Sequence, residues 1–307
     1  MQLKRFADNP ILSPSKKWWE FKAVFNPGVA LYNDKITLLY RAIGGDGLSR
    51  FGLATSQDGI SFERAAEPVF EGGIDSPYER LGVEDPRIVK IENTYYITYN
   101  AASVYPASEF KKVSLAPSLY HPAPWRFRPS LITTKDFRDF EHQGILLSED
   151  SKDATLFPEK IAGKFALLHR VYPNIYLSFS EDLKNWSEKK VLLTPHKASW
   201  DSERVGAGSQ PIKTEKGWVI FYHGVSEKHQ YRMGLLVLDL ADPGKIIFRS
   251  SEPILLPEES YERSGLTAEV VFTCGALEVG EEFFVYYGAA DKCIGLATIT
   301  KKQLLSF

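Results

Sequence analysis

The sequence has little cysteine, no long apolar run and no excess of positive charge. Its two cysteines, Cys274 and Cys293, sit in the apolar stretches "VFTCGAL" and "DKCIGLA" with no companion pair at metal-ligand spacing. Buried, reduced thiols are therefore expected, rather than a disulfide framework or a zinc site. No stretch approaches the roughly eighteen uninterrupted apolar residues of a membrane helix, and "MQLKRFADNP" lacks the apolar core of a signal peptide, so a soluble cytoplasmic protein is expected. A formal net charge of -2 with interspersed signs offers no basic stripe. Nucleic acid and anionic membrane are thereby excluded as partners. No motif calls for a metal or an organic cofactor, and helical signals are sparse.

What is present is a repeat. Five segments each join a short strand, a polar turn and a second strand rich in aromatic and β-branched residues: "NPGVALYNDKITLLYRA" (26–42), "DPRIVKIENTYYITYNA" (85–101), "FPEKIAGKFALLHRV" (157–171), "QPIKTEKGWVIFYHGV" (210–225) and "FTCGALEVGEEFFVYYGA" (272–289). Turn pairs separate the strands at Asn33-Asp34, Glu92-Asn93, Ala162-Gly163, Lys216-Gly217 and Gly280-Glu281. Three of the hairpins are followed by Ser/Thr-x-Asp-x-x-x-aromatic, in "SQDGISF", "TKDFRDF" and "SEDLKNW", which reads as a turn leading to a further strand. The hairpins recur at intervals of about 50 to 70 residues, the size of one four-stranded blade with its loops. The expectation is an all-β chain forming one domain over residues 1–307, a five-bladed β-propeller, with a long insertion at about 102–130.

In an antiparallel hairpin the start of the first strand lies beside the end of the second. Asn26, Arg41, Asp85, Asn100, Arg170 and His223 should then converge on one mouth of a central channel. Pro27, Pro86, Pro158 and Pro211 fit a strand's first position, where a missing amide hydrogen costs least. Any single Asp-Pro, such as Asp85-Pro86 with Arg87 beside it, reads first as a turn with its ion pair. Matching polar residues at equivalent ends of the repeats favour a binding site instead. Lys152, Arg170, Arg204 and His223 stand near strand or loop ends on the third and fourth repeats and suit a phosphate. Solvated surface charges for Lys152 and Arg204, and a core histidine for His223, are the competing readings. Asp291, in "YGAADKCIG", reads equally as a sugar-hydroxyl acceptor or as a turn residue.

The combination of "FNPGV" with "YRA", "GVEDPRI", "KDATLFPEKIAGKFALLHR", "GAGSQPIKT", "GWVIFYHGV", "YRMGLLVLDLADP" and "YYGAAD" resembles glycoside hydrolase family 130, from about residue 8 to about residue 300. The resemblance implies a five-bladed propeller and an inverting phosphorylase of β-mannosides, similar in look to the members acting on β-1,2-linked mannosides. It implies Asp85 as general acid, acting through a sugar hydroxyl, and Asn26, Arg41 and Asp291 as contacts to the mannosyl unit. Lys152, Arg170, Arg204 and His223 match the family's phosphate-binding positions, with Tyr231 nearby. The implied partners are a β-manno-oligosaccharide and inorganic phosphate, the latter as co-substrate. An inverting hydrolase needs an acid and a base, whereas phosphate arrives already anionic, so one carboxylic acid suffices. That acid must be protonated near neutrality, and burial or the neighbouring Glu84 is expected to raise the pKa of Asp85.

The chain departs from the family pattern in reading "GSQP" after "GA" and in carrying Arg204 where lysine is common. The Tyr, Trp and Arg content of the insertion suits either a wall of the acceptor subsite or self-association with a second copy. The rival activity is hydrolysis on the same fold, with Glu203, Glu227 or Glu269 as base. A non-catalytic carbohydrate-binding propeller is the rival from another class.

Overall fold

The computed structural model describes residues 1–73, 75–106, 108–109 and 124–307. Among the described residues the chain is all-β, with two one-turn α-helices, Ser260–Arg263 and Lys301–Leu304. The strands form four sheets of 4, 9, 4 and 5 strands. The nine-stranded sheet consists of two antiparallel runs that meet at a single parallel bridge, Ser49 to Gly82. Five antiparallel units result, opening with the strands Ala23–Tyr32, Gly82–Ile91, Lys152–Leu156, Arg204–Ala207 and Val271–Val279. The last unit is completed by the start of the chain, because Lys4–Arg5 pairs with Cys293–Thr300.

Local sequence explains the hairpins. Tyr32 pairs with Lys35 across Asn33-Asp34, both at positive φ (49° and 59°), the conformation that a two-residue hairpin demands. In the fourth unit Thr214 pairs with Gly217, so the loop residues are Glu215-Lys216, one position earlier than expected. The three Ser/Thr-x-Asp motifs form one turn three times. In the first, Ser56 Oγ accepts from the amides of Asp58 and Gly59, while Asp58 Oδ1 accepts from those of Ile60 and Ser61. The third repeat begins earlier than the sequence suggests, at Lys152, and Pro158 lies in the bend beyond that strand.

Apolar faces of consecutive units meet in five layers. Phe51 and Ile97 share one buried cluster, Leu131 and Leu156 a second, Leu168 and Trp218 a third, and Phe221 and Val285 a fourth. Tyr40 and Tyr286 share the fifth layer, between the last unit and the first. Burying each such side chain contributes about 1.5–3 kcal/mol. The first strands approach so closely that Cβ atoms at Gly28 and Gly275 would lie 2.6 Å from the Pro86 carbonyl oxygen and the Val29 nitrogen. Both cysteines are buried and unpaired.

Both described ends of the insertion extend a hairpin: within the strands Thr94–Val104 and Trp125–Thr134, pairing runs from Tyr95 with Thr134 to Val104 with Trp125. Residues 107 and 110–123 of that expected insertion lie outside the described residues.

Candidate active site

One backbone distortion builds the site. In each of the first three units the opening strand is bulged, between Phe25 and Gly28, Glu84 and Arg87, and Lys152 and Thr155. The residues at the bulges, Asn26, Asp85 and Asp153, take left-handed φ values of 48°, 55° and 55°. Asn and Asp tolerate that region best among residues with a Cβ, and a bulge re-aims its side chain out of the strand's alternation. Pro27 and Pro86 belong to these bulges, not to the first strand position expected for them, which is the other place where a strand lacks the amide hydrogen bond. Pro211 directly precedes the strand Ile212–Thr214, as expected.

Asp85 is buried at 4% exposure. Asn26 Nδ2 donates to its Oδ1 at 2.8 Å, Asn100 Nδ2 to its Oδ2 at 3.4 Å, and Arg41 Nη1 lies 3.5 Å from Oδ1. Burial pushes this carboxyl up, but Arg41, Lys152, the Asn26 amide and Arg87 together outweigh it and hold Asp85 below the ordinary carboxylate range. The raised value expected from the sequence is thus overturned. Glu84 does not oppose the negative charge of Asp85 unaided: it accepts from Arg41 Nη2 at 2.6 Å and Lys152 Nζ at 3.3 Å. Asp291 shows the opposite balance. Its burial exceeds the help from Thr267 and Arg41, and its carboxyl is pushed up.

Arg87 is not the side-chain partner of Asp85. Fully buried, it donates to the Asp85 backbone carbonyl at 3.1 Å and reaches across to the carbonyls of Ala207 and Gly208 at 3.0 and 2.8 Å. Its Nη2 donates to Asp153 Oδ1 at 3.3 Å. Asp153 Oδ2 accepts from Arg170 Nε at 2.5 Å and lies 3.5 Å from His223 Nε2. Against the cost of burial, Arg170, His223, Arg87 and Lys152 hold Asp153 far below the carboxylate range. His223 is lowered to about 3 by burial, reinforced by Arg170, Arg87 and Arg204 and opposed by Asp153, so it is a neutral imidazole at pH 7. Its ring packs between Tyr231 and Phe272, at centroid distances of 6.1 and 4.6 Å. Arg204 donates to Tyr231 Oη at 2.5 Å and to Glu203.

The residues expected from the sequence to act as acid and to bind the mannosyl unit and phosphate thus fall into one connected set. Asn26, Arg41, Asp85 and Asp291 share one side, with Asp291 acting on Arg41 and Asp85 through charge. Lys152, Arg170, Arg204, His223 and Tyr231 form the other. The candidate hydrolytic bases are placed differently. Glu203 is engaged by Arg204 and by His229 Nδ1 at 3.2 Å, Glu227 is exposed, and Glu269 lies 4.0 Å from Arg263. Sequence reasoning missed Asp153, because the third repeat was begun five residues late. Aligning "KDA" with "EDP" and "FNP" exposes it. It also missed Phe127, whose ring centroid lies 3.9 Å from Lys152 Nζ and which stacks on Trp125, placing a flank of the insertion at the rim of the site.

Comparison with known proteins identifies the family. The family model described as beta-1,4-mannooligosaccharide phosphorylase, that of glycoside hydrolase family 130, matches residues 2–307. A 1,2-beta-oligomannan phosphorylase from Thermoanaerobacter sp. (strain X514) is 42% identical, and a beta-1,2-mannobiose phosphorylase from the same organism 41%, each alignment covering 99% of both chains. The structure of the beta-1,2-mannobiose phosphorylase from Listeria innocua, in complex with beta-1,2-mannobiose, superposes with a TM-score of 0.85 at 30% identity over 99% of this chain and 98% of that one. With a family match along nearly its whole length and relatives of this identity, the chain belongs to glycoside hydrolase family 130.

Proposed function

We propose that this protein is an inverting phosphorylase that cleaves β-1,2-linked manno-oligosaccharides with inorganic phosphate, giving α-mannose 1-phosphate and a shortened acceptor. The observation that carries the proposal is a buried carboxyl, Asp85, facing a cradle built from the cations Lys152, Arg170 and Arg204 and the neutral His223. The β-1,2 linkage rests on the relatives that are 41–42% identical, although the family description names a β-1,4 linkage. The five apolar layers, the last of which returns to the first unit, support a single five-bladed propeller whose opening strands surround the site.

In this reading Asn26, Arg41 and Asp291 hold the mannosyl unit. Arg170 and Arg204 hold phosphate by their guanidinium forks and Lys152 holds it as a point charge. His223, neutral and with its Nε2 toward the Asp153 carboxylate, donates from that nitrogen. Tyr231 orients Arg204. Phosphate attacks the anomeric carbon from the face opposite the leaving oxygen, Asp85 supplies the proton that the leaving oxygen gains, and the configuration inverts. Hydrolysis would need a base on the cradle side. The glutamates there are exposed or engaged by cations. Incubation with a β-1,2-manno-oligosaccharide tests the assignment: mannose 1-phosphate should form only when phosphate is added. Free mannose released equally fast without phosphate would refute it.

A further inference from the structure

Asp85 presents a contradiction within its own site. The reaction needs a carboxylic acid, yet the groups on its two oxygens, the Asn26 and Asn100 amides and Arg41, all donate. The acceptor atoms of those same amides, Asn26 Oδ1 and Asn100 Oδ1, are buried and have no partner among the described residues. Turning both donors toward Asp85 at that cost satisfies an ionised carboxylate and leaves no acceptor for a proton on it. The charges that face Asp85 have the same sense. Glu84 and Arg87 come from its own strand, Arg41 from the first unit, Lys152, Asp153 and Arg170 from the third, and Asp291 and Cys274 from the last. Four cations stand against three carboxylic groups, one of which, Asp291, is itself pushed toward the neutral form.

Two unbroken chains connect Asp85 to the cradle. One runs from its side chain through Arg41 and Glu84 to Lys152. The other runs from its backbone carbonyl through Arg87 and Asp153 to Arg170. A phosphate dianion seated on Lys152 and Arg170 offsets part of the positive charge that keeps Asp85 ionised, that of Lys152 above all, while Arg41 and Arg87 stay in place. We propose that phosphate entering the cradle draws a proton from solvent onto Asp85, so that the acid is armed only when the nucleophile is in place. This rests on the phosphorolytic reading above and assigns phosphate a second role, as the switch that turns on the acid.

The protons balance over a cycle. Asp85 takes one from solvent as phosphate binds and gives it to the leaving oxygen. Hydrogen phosphate, on becoming the sugar ester, loses its own proton to solvent. The consequence is selectivity: with the cradle empty a bound mannoside faces an ionised Asp85, and water finds no acid to assist it.

Calorimetric titration of inorganic phosphate into the wild type and into Asp85→Asn, each in two buffers of different ionisation enthalpy near about pH 6.5, counts the protons taken up. Ionisation of phosphate itself enters both counts, and a spectroscopic reading of the carboxyl separates it from protonation of Asp85. Asparagine accepts the φ of 55° at this position, so the variant keeps the backbone. Wild type should take up between about 0.3 and 1 proton more than the variant per phosphate bound. Carbon-13 resonances of the aspartate carboxyls give an independent reading, with one of them moving upfield as phosphate is added. Equal proton counts in the two proteins, an unmoved carboxyl spectrum or no binding of phosphate to the sugar-free enzyme would overturn the inference. If mannose 1-phosphate still forms in the turnover assay, that failure leaves the phosphorylase assignment standing; if it does not, both fall.

Discussion

Replacing Asp153 by asparagine removes a negative charge from among Arg170, Arg87 and His223, which lie 2.5, 3.3 and 3.5 Å from its oxygens, while leaving size and backbone preference almost unchanged. Both Asp153 and Arg87 are buried, so solvent cannot replace the lost partner. Breaking a buried pair by removing one partner costs about 3–5 kcal/mol, and the retained amide oxygen should keep the loss near the lower end, about 3 kcal/mol. Against a total stability of about 5–15 kcal/mol the variant still folds. Urea denaturation at low phosphate should show this loss as a lower midpoint. Because Asp153 is depressed in the folded state, its contribution is fully present above the unfolded value of about 3.9 and is lost as pH falls toward the folded value. The gap between wild type and variant should therefore be constant from about pH 5 to 8 and narrow below about pH 4. A phosphate dianion restores negative charge beside Arg170, so added phosphate should raise the midpoint of the variant more than that of wild type. A loss under about 1 kcal/mol at pH 7 would refute the view that Asp153 holds the cradle's cations in place.

Three further outcomes are expected. Asp85→Asn should lower phosphorolysis by about 10²–10⁴-fold, measured as mannose 1-phosphate release, with the fold intact; unchanged turnover would remove Asp85 from the role of acid. Gly206→Ala would place a Cβ 2.3 Å from His223 Cε1 and 2.5 Å from Asp153 Oδ2, and should raise KM for phosphate by at least about tenfold, at an overpacking cost of about 1–3 kcal/mol. An unaltered KM would separate this corner from phosphate binding. His223 and His169 are lowered by burial to about 3 and about 4, so their ring resonances should not titrate between about pH 5 and 8. Since the unfolded chain takes up these protons first, stability should fall on acidification below about pH 6.5 by about 1.4 kcal/mol per pH unit for each ring. A histidine signal titrating near about 6.5 and assigned to either ring would contradict its burial in a neutral state.

The repeat was legible because hairpin chemistry is local. Asn33-Asp34 and Gly280-Glu281 declare their turns within four residues, and the alternation around them identifies the strands. The third unit was displaced because a loop, not a two-residue turn, joins Lys152–Leu156 to Phe165–Val171, and Ala162-Gly163 is a turn inside that loop. Asp153 was lost with it. Pro27 and Pro86 look alike as strand starters and as bulge residues, since either place lacks the amide bond; only pairing register separates the two.

By itself the sequence determined the all-β class, the number of hairpins and the family, and it named the residues proposed as acid and phosphate cradle, because each of these is written in short stretches of chain. The tertiary structure decided what those residues are to one another. That Arg87 serves Asp153 and the fourth unit, that Glu84 bridges Arg41 and Lys152, and that Asp85 is held ionised depend on charges brought within a few ångströms from segments far apart in the chain. A pKa is a sum over all the charges around a buried group, and no local reading of the chain contains that sum.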